Sequence, residues 1–167
     1  MGTDTAATFE KSLERLNVER TATAATDVHG VLEDVCTTPT VGSSLPFDGV
    51  SLPEWVNDTP TPEDLRDAET GISAASIGIA DYGSVVLPAR PDGSESVSLF
   101  PDTHVAVLRM SDIVPGIPEA IARLGDEFRA GNDTAIIATG PSATADMGSL
   151  VTGAHGPKEV HVVILDE

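Results

Sequence analysis

Apolar residues recur along this chain with two different periods, and the change from one to the other divides it. Over residues 4–20, Phe9, Leu13, Leu16 and Arg20 return at helical spacing while Glu10, Lys11, Glu14 and Arg15 fill the other faces, which predicts an amphipathic helix. A second helix is expected from Asp27 as N-cap to about residue 36. Residues 21–26 between them are small and β-leaning. Residues 37–62 hold five prolines and the turn dipeptide Asp48-Gly49, so this stretch reads as loop, with short strands at 40–41 and 50–52. Pro62, Glu63 and Asp64 then open a short helix to about residue 69, because proline and acids suit a first turn.

The period shortens after Gly71. Residues 72–80 and 84–87 are apolar around Asp81-Tyr82-Gly83, which predicts two strands and a tight turn with Gly83 free to take positive φ. Residues 88–94 read as a hairpin-like loop, and residues 97–100 as a continuation of the sheet. The clearest buried strand is 103–110. Residues 115–130 predict a helix with Ile117, Ile121, Leu124 and Phe128 on one face, ended by Gly131. A strand at 135–139, a short helix at 146–151 and a last strand at 160–165 complete the pattern, and there is no internal repeat. Strands alternating with helices indicate an α/β fold with a layered, mixed and mostly parallel sheet and flanking helices. At 167 residues a single domain is expected: a helical, loop-rich part over 1–64 and an α/β core over 65–167.

Charge narrows the possible partners. The formal net charge is −18, from 27 acidic against 9 basic residues. A field of that sign repels nucleic acid and anionic membranes. Lysine occurs only at positions 11 and 158, the acids are spread along the chain, and aromatics make up 4%. This combination is similar to proteins of salt-loving organisms. At about 1 M salt the Debye length falls to about 3 Å, against about 10 Å at 0.1 M, so self-repulsion is largely screened. The melting temperature is therefore expected to rise from dilute buffer to molar KCl, and a flat or falling series would contradict the reading. No apolar run reaches the 18 or so residues of a membrane span, and the first residues carry no basic or apolar leader, so a cytoplasmic protein without membrane insertion is expected.

The single cysteine, Cys36, excludes an internal disulfide and a cysteine-built iron–sulfur or zinc cage within the chain. In an apolar stretch it reads as a small buried hydrophobe. Four scattered histidines give no recognisable metal-ligand spacing. There is no G-x-G-x-x-G, no Walker A and no G-x-S-x-G nucleophile elbow.

Candidate chemistry gathers in the last quarter. The strand at 135–139 stops at Gly140-Pro141, and Ser142, Thr144 and Asp146 follow before the expected short helix. Free backbone N–H groups and short hydroxyls at such a place form a shelf for a small carboxylate or phosphate, outside the carboxyl end of the strand. Asp146 by itself reads as a helix N-cap. The block as a whole reads as a ligand shelf, because a cap needs only one of these residues. His155 stands in a loop among Gly153, Gly156 and Pro157, suited to hydrogen bonding, acid–base work or a turn-stabilising bond. His104 opens the strand at 103–110 and divides evenly between ligand contact and structure. Asp81 is either a crevice base or the acceptor of its own turn. His161 alternates with apolar residues on the last strand and reads as structural. Arg90 and Arg109 could neutralise an anion, although arginine in so acidic a chain more often sits in a surface ion pair.

Five segments in a consistent order carry a resemblance. They are Gly71-Ile72-Ser73-Ala74-Ala75, the run from Ile79 to Leu87, and Ser98-Leu99-Phe100-Pro101-Asp102-Thr103-His104. The other two are Gly140-Pro141-Ser142-Ala143-Thr144-Ala145-Asp146 and Gly153-Ala154-His155-Gly156-Pro157. Together they resemble the LUD-domain proteins of the lactate-utilisation protein C type over roughly residues 65–167. The resemblance implies a fold related to the sugar-phosphate isomerase and CoA-transferase group. It also implies a subunit of an L-lactate oxidation system that binds a small carboxylate or organises the complex, with iron–sulfur clusters in partner proteins and no cofactor in this chain. Under it, His155, Asp146 and Asp81 take catalytic roles. Gly140, Pro141, Ser142, Thr144, Gly153, Gly156 and His104 bind substrate. Ala143 stands where many members carry a basic residue, and Gly148 where many carry Glu, which weakens any anion site built on that basic side chain. Two other classes stay open: a stand-alone enzyme on a phosphorylated or CoA-linked small molecule, and a non-catalytic anion-binding regulator.

Overall fold

The apolar strands lie side by side in one sheet and fold a smaller sheet over it. The computed structural model describes residues 2–146 and 148–166. Strands β1 (Glu19–Ala24), β2 (Thr40–Gly42), β3 (Thr70–Ala74), β6 (Thr103–Arg109) and β11 (Glu159–Asp166) form a five-stranded sheet in the order β1-β11-β6-β3-β2. Every pairing in it is parallel. Strands β4 (Ile77–Ile79), β5 (Ser84–Pro88), β7 (Ile113–Val114) and β8 (Ala135–Thr139) form a mixed sheet in the order β7-β4-β5-β8. Strands β9 (Ala143–Asp146) and β10 (Ser149–Thr152) pair only with each other. The layered α/β architecture with a mostly parallel sheet is the one the sequence pattern indicates.

Among the described residues, five α-helices cover these sheets: α1 (Gly2–Arg15), α2 (Val28–Val35), α3 (Pro62–Asp67), α4 (Ser94–Leu99) and α5 (Ile117–Arg129). Alternation along β6 explains the layering. Ala106 and Leu108 face a core shared with Phe9 and Leu13 of α1 and with Val85 and Leu87 of β5. Val105 and Val107 face the opposite core, with Val28 and Leu32 of α2. Phe9 and Leu13 are essentially fully buried, so each contributes about 2 kcal/mol of apolar transfer to docking α1. Ala120 and Leu124 of α5 close the far side of the smaller sheet over Ile77, Ile79 and Val86. Helix α3 begins as expected, with Pro62 behind a Thr61/Asp64 capping box.

Several elements differ from expectation. The first helix ends at Arg15, and Asn17 at φ +55° turns the chain into β1. The apolar run 72–80 is two strands in two different sheets. Residues 97–100, expected in the sheet, lie in and just after α4: Asp92 accepts from the Ser94 N–H at 3.2 Å, and Ser94, Val97 and Ser98 are buried at helical spacing. The expected helix at 146–151 is a β hairpin, where Ala143–Asp146 pairs with Ser149–Thr152 and Gly148 has φ +81°. Alternating small and β-branched residues outweighed the N-cap signal. On α5, Ile121 and Phe128 are exposed, so its buried face is narrower than predicted. No strand forms at 50–52.

Cys36 is half-buried against the α2 core, and burial pushes its thiol up to about 12, as befits a packing residue. Among the described residues, no helix is long and apolar enough to cross a membrane.

Candidate functional site

Strand β8 is the edge of the smaller sheet, and its antiparallel pairing with β5 carries its end toward the amino ends of β6 and β11. The crevice there is thus bounded by the amino ends of the parallel strands, not the carboxyl ends that the sequence pattern suggested. Gly140 takes φ +68° beside Leu16 and lets the chain leave β8 at once. Ser142 then donates its N–H to the Pro157 carbonyl at 2.8 Å, and Gly153 donates to the Ser142 carbonyl at 2.9 Å. These two bonds staple the 140–142 turn to the 153–157 turn. They also use the Ser142 N–H that was expected to face an anion, and no helix follows to offer more.

The stapled turns line a cavity of about 220 Å³ between the two sheets. Leu13, Val85, Leu87, Ile136 and Val162 form its apolar wall. Its polar side chains include His104, Ser142 and His155, with Ser98 from α4 and Thr139 from the end of β8. The Ser98 and Thr139 hydroxyls already bond to the Glu95 carbonyl and the Ser84 hydroxyl, at 2.7 Å each. Neither lysine nor arginine is among the lining residues.

His104 is buried at 2% exposure, and its Nε2 lies 2.8 Å from the Ser73 hydroxyl. Burial lowers its pKa to about 4, so the ring is neutral at physiological pH and offers one donor and one acceptor. His155, by contrast, is exposed at the rim and also borders a shallow depression beside Phe100 and Asp102.

Of the sequence candidates, Gly140, Pro141, Ser142, His104, His155 and Gly156 meet at this cavity. A Cβ at Gly156 would approach the Ser142 Cβ at 3.1 Å, so the glycine permits the close packing of the two turns. Thr144 lies on β9 opposite Val151, away from the lining. Gly153, at φ +76°, sits beside the Lys158 side chain, which pairs with Asp102 at 2.7 Å. Asp81 is exposed at the β4–β5 turn, its carbonyl bonded to Ser12 and Arg15 of α1, and it does not line the cavity. The side chain of Asp146 lies outside the described residues. His161 meets the Thr21 hydroxyl at 2.9 Å across the β1–β11 pair, the structural place read from its alternation. Among the described residues, no group of three or more His, Cys, Asp or Glu side chains is placed to hold a metal ion.

Sequence reasoning missed the apolar wall, because Leu13 comes from the distant first helix and carries no motif. Ser98 stood within the recognised 98–104 segment and was legible there.

The LUD domain family model matches residues 57–165. Lactate utilization protein C of Bacillus subtilis is 34% identical over 129 residues, covering 72% of this chain and 53% of the relative. The Bacillus licheniformis protein of the same name is 32% identical, covering 73% and 53%. The chain thus spans about half the length of these curated relatives. A crystal structure of a DUF162 family protein from Deinococcus radiodurans superposes with a TM-score of 0.75 over 99% of both chains, at 19% identity, which speaks for the fold alone.

Proposed function

Because this chain belongs to the LUD domain family, we propose that it serves lactate utilisation as a subunit that binds a small carboxylate, L-lactate or pyruvate, in the cavity between its sheets. The observation that carries this reading is the convergence of the two stapled turns and His104 on one small cavity. Its volume of about 220 Å³ suits a three-carbon acid, and its apolar wall suits a methyl group. In this reading the Ser142 hydroxyl and His155 hold the carboxylate at the rim, and neutral His104 exchanges a hydrogen bond with the 2-hydroxyl or 2-oxo oxygen. His155, accessible to solvent, is the acid–base candidate.

Oxidation of lactate to pyruvate releases two electrons and two protons. A single cysteine cannot hold an iron–sulfur cluster, so the electrons leave through a partner protein or a bound cofactor, and this reading takes iron–sulfur proteins as those partners.

Titration with ¹³C-labelled pyruvate and L-lactate, followed by NMR at fixed KCl, tests the binding half. Ser142→Ala and His155→Ala are each expected to weaken binding about fivefold, the worth of one hydrogen bond of about 1 kcal/mol. Wild-type affinity in both variants would remove the cavity from the reading. Affinity capture from lactate-grown cells at about 1 M KCl tests the other half, since at that salt exposed charge contacts are screened and specific packing remains. Recovery of iron–sulfur proteins is expected. Turnover of lactate by the purified chain alone would instead identify a stand-alone enzyme.

A further inference from the structure

The carboxyl ends of the parallel strands, at the opposite edge of the large sheet, hold a second site of different chemistry. Three of the chain's nine basic residues line one cleft of about 290 Å³ there. Arg90 comes from the segment after β5, Arg109 is the last residue of β6, and Arg123 comes from α5. The carboxylates lining it are Asp112 and Glu127. Acids outnumber bases three to one in the whole chain, 27 to 9, whereas among the described residues here the three guanidiniums stand against Asp112 and Glu127 on the lining and Asp92 close by.

The group is built, not scattered. Asp112 accepts from Arg109 Nε at 2.7 Å through one oxygen and meets Arg123 Nη1 at 3.4 Å through the other, so a single carboxylate holds two guanidiniums in place. The Arg109 guanidinium also lies 5.8 Å over the Phe47 ring. None of the ion pairs of the described residues includes Arg90. The charges of Asp92 and Glu127 reach it from beyond contact distance. The Glu127 carboxyl is held above its ordinary range, chiefly by burial, with Arg90 and Arg123 pulling it down and the Asp112 charge pushing it up. Ser76, which also lines the cleft, has a buried hydroxyl oxygen without a hydrogen-bond partner among the described residues.

We propose that this cleft binds a phosphate group, held by the Arg90 and Arg123 guanidiniums with the Ser76 hydroxyl completing the set. One guanidinium fork satisfies a carboxylate, whereas two guanidiniums from separate elements suit an anion with two charges and three or more oxygens. The position agrees as well, because the crevice outside the carboxyl ends of parallel strands is where α/β sheets receive ligands. The site stands apart from the cavity proposed for lactate and does not rest on that proposal.

The test is calorimetric titration of the full chain at constant ionic strength with inorganic phosphate, with glycerol 2-phosphate, and with acetate. Saturable phosphate binding is expected, weakened about tenfold or more by Arg90→Gln and about fivefold by Ser76→Ala, in line with loss of a charge-assisted and a neutral hydrogen bond. Tighter binding of the monoester would assign a phosphorylated metabolite, and tighter binding of inorganic phosphate would assign the free ion. Ser142→Ala should leave both unchanged. The proposal is overturned by absence of saturation, by wild-type phosphate affinity in both Arg90→Gln and Ser76→Ala, or by acetate binding as well as phosphate. Ser76→Ala removes one oxygen atom and nothing else, so it keeps the test decisive should Arg90→Gln fold poorly.

Discussion

Replacing Gly71 by alanine is expected to lower the melting temperature by about 8–16 °C. Gly71 sits mid-strand in β3, paired with Val41 of β2 on one side and His104 of β6 on the other. A Cβ there would lie 2.0 Å from the Val97 carbonyl oxygen and 2.9 Å from Pro101 Cγ. The obstacle is the backbone of α4, which cannot rotate aside as a side chain can. β3 cannot withdraw either, because it is hydrogen-bonded on both edges. Overpacking against movable side chains costs about 1–3 kcal/mol. Displacing a whole helix belongs in the exceptional class of about 4 kcal/mol or more. In a chain of this size each kcal/mol moves the melting point by about 2–4 °C. Because α4 also supplies Ser98 and Leu99 to the cavity, pyruvate binding should fall with stability. A thermal melt within about 3 °C of wild type would mean that α4 yields freely.

Acid should destabilise the protein through His104. In the folded state its pKa is lowered from 6.5 to about 4, so folding favours the neutral ring. That contribution is fully present above about 6.5, where the unfolded chain is neutral as well. As pH falls below 6.5 the unfolded chain takes up a proton that the folded state refuses, and stability is lost until about pH 4. By pH 5 the loss is about 2 kcal/mol from this residue alone. Carboxylates titrate in the same range, so the informative quantity is a difference. Urea unfolding at pH 7.5 and pH 5 should show wild type losing about 2 kcal/mol more than His104→Gln. Equal losses would place the proton elsewhere.

The parts of the fold most legible in the sequence are those where one period runs undisturbed. Strand β6 and helix α5 were readable because Val105, Val107 and Leu108, or Ile117, Ile121 and Leu124, have neighbours that repeat one pattern. Helix α4 was not, since Val97 and Leu99 alternate like a strand while the cause of the helix is nonlocal: Asp92 accepts from Ser44 and Ser94 together. The β9–β10 hairpin was hidden because Asp146 is as good a cap as it is a strand end. In the candidate site, the two Gly-Pro turns were legible as motifs. Their joining through the Ser142 N–H and the Pro157 carbonyl was not, because it is a backbone contact that no side chain announces. The arginine cleft was half visible: Arg90 and Arg109 stood out in an acidic chain, but Arg123 reaches them only through the packing of α5.

Strand β6 begins at one cleft with His104 and ends at the other with Arg109, on opposite faces of the same sheet. This makes the two sites unequal toward different kinds of inherited change. A point substitution at either end alters one site and spares its counterpart. An insertion or deletion between them shifts the strand by one residue and turns every side chain to the other face. The lining of both clefts and the packing of both cores would then be disturbed in a single event. Within a lineage, the spacing of these seven residues should therefore outlast their identities.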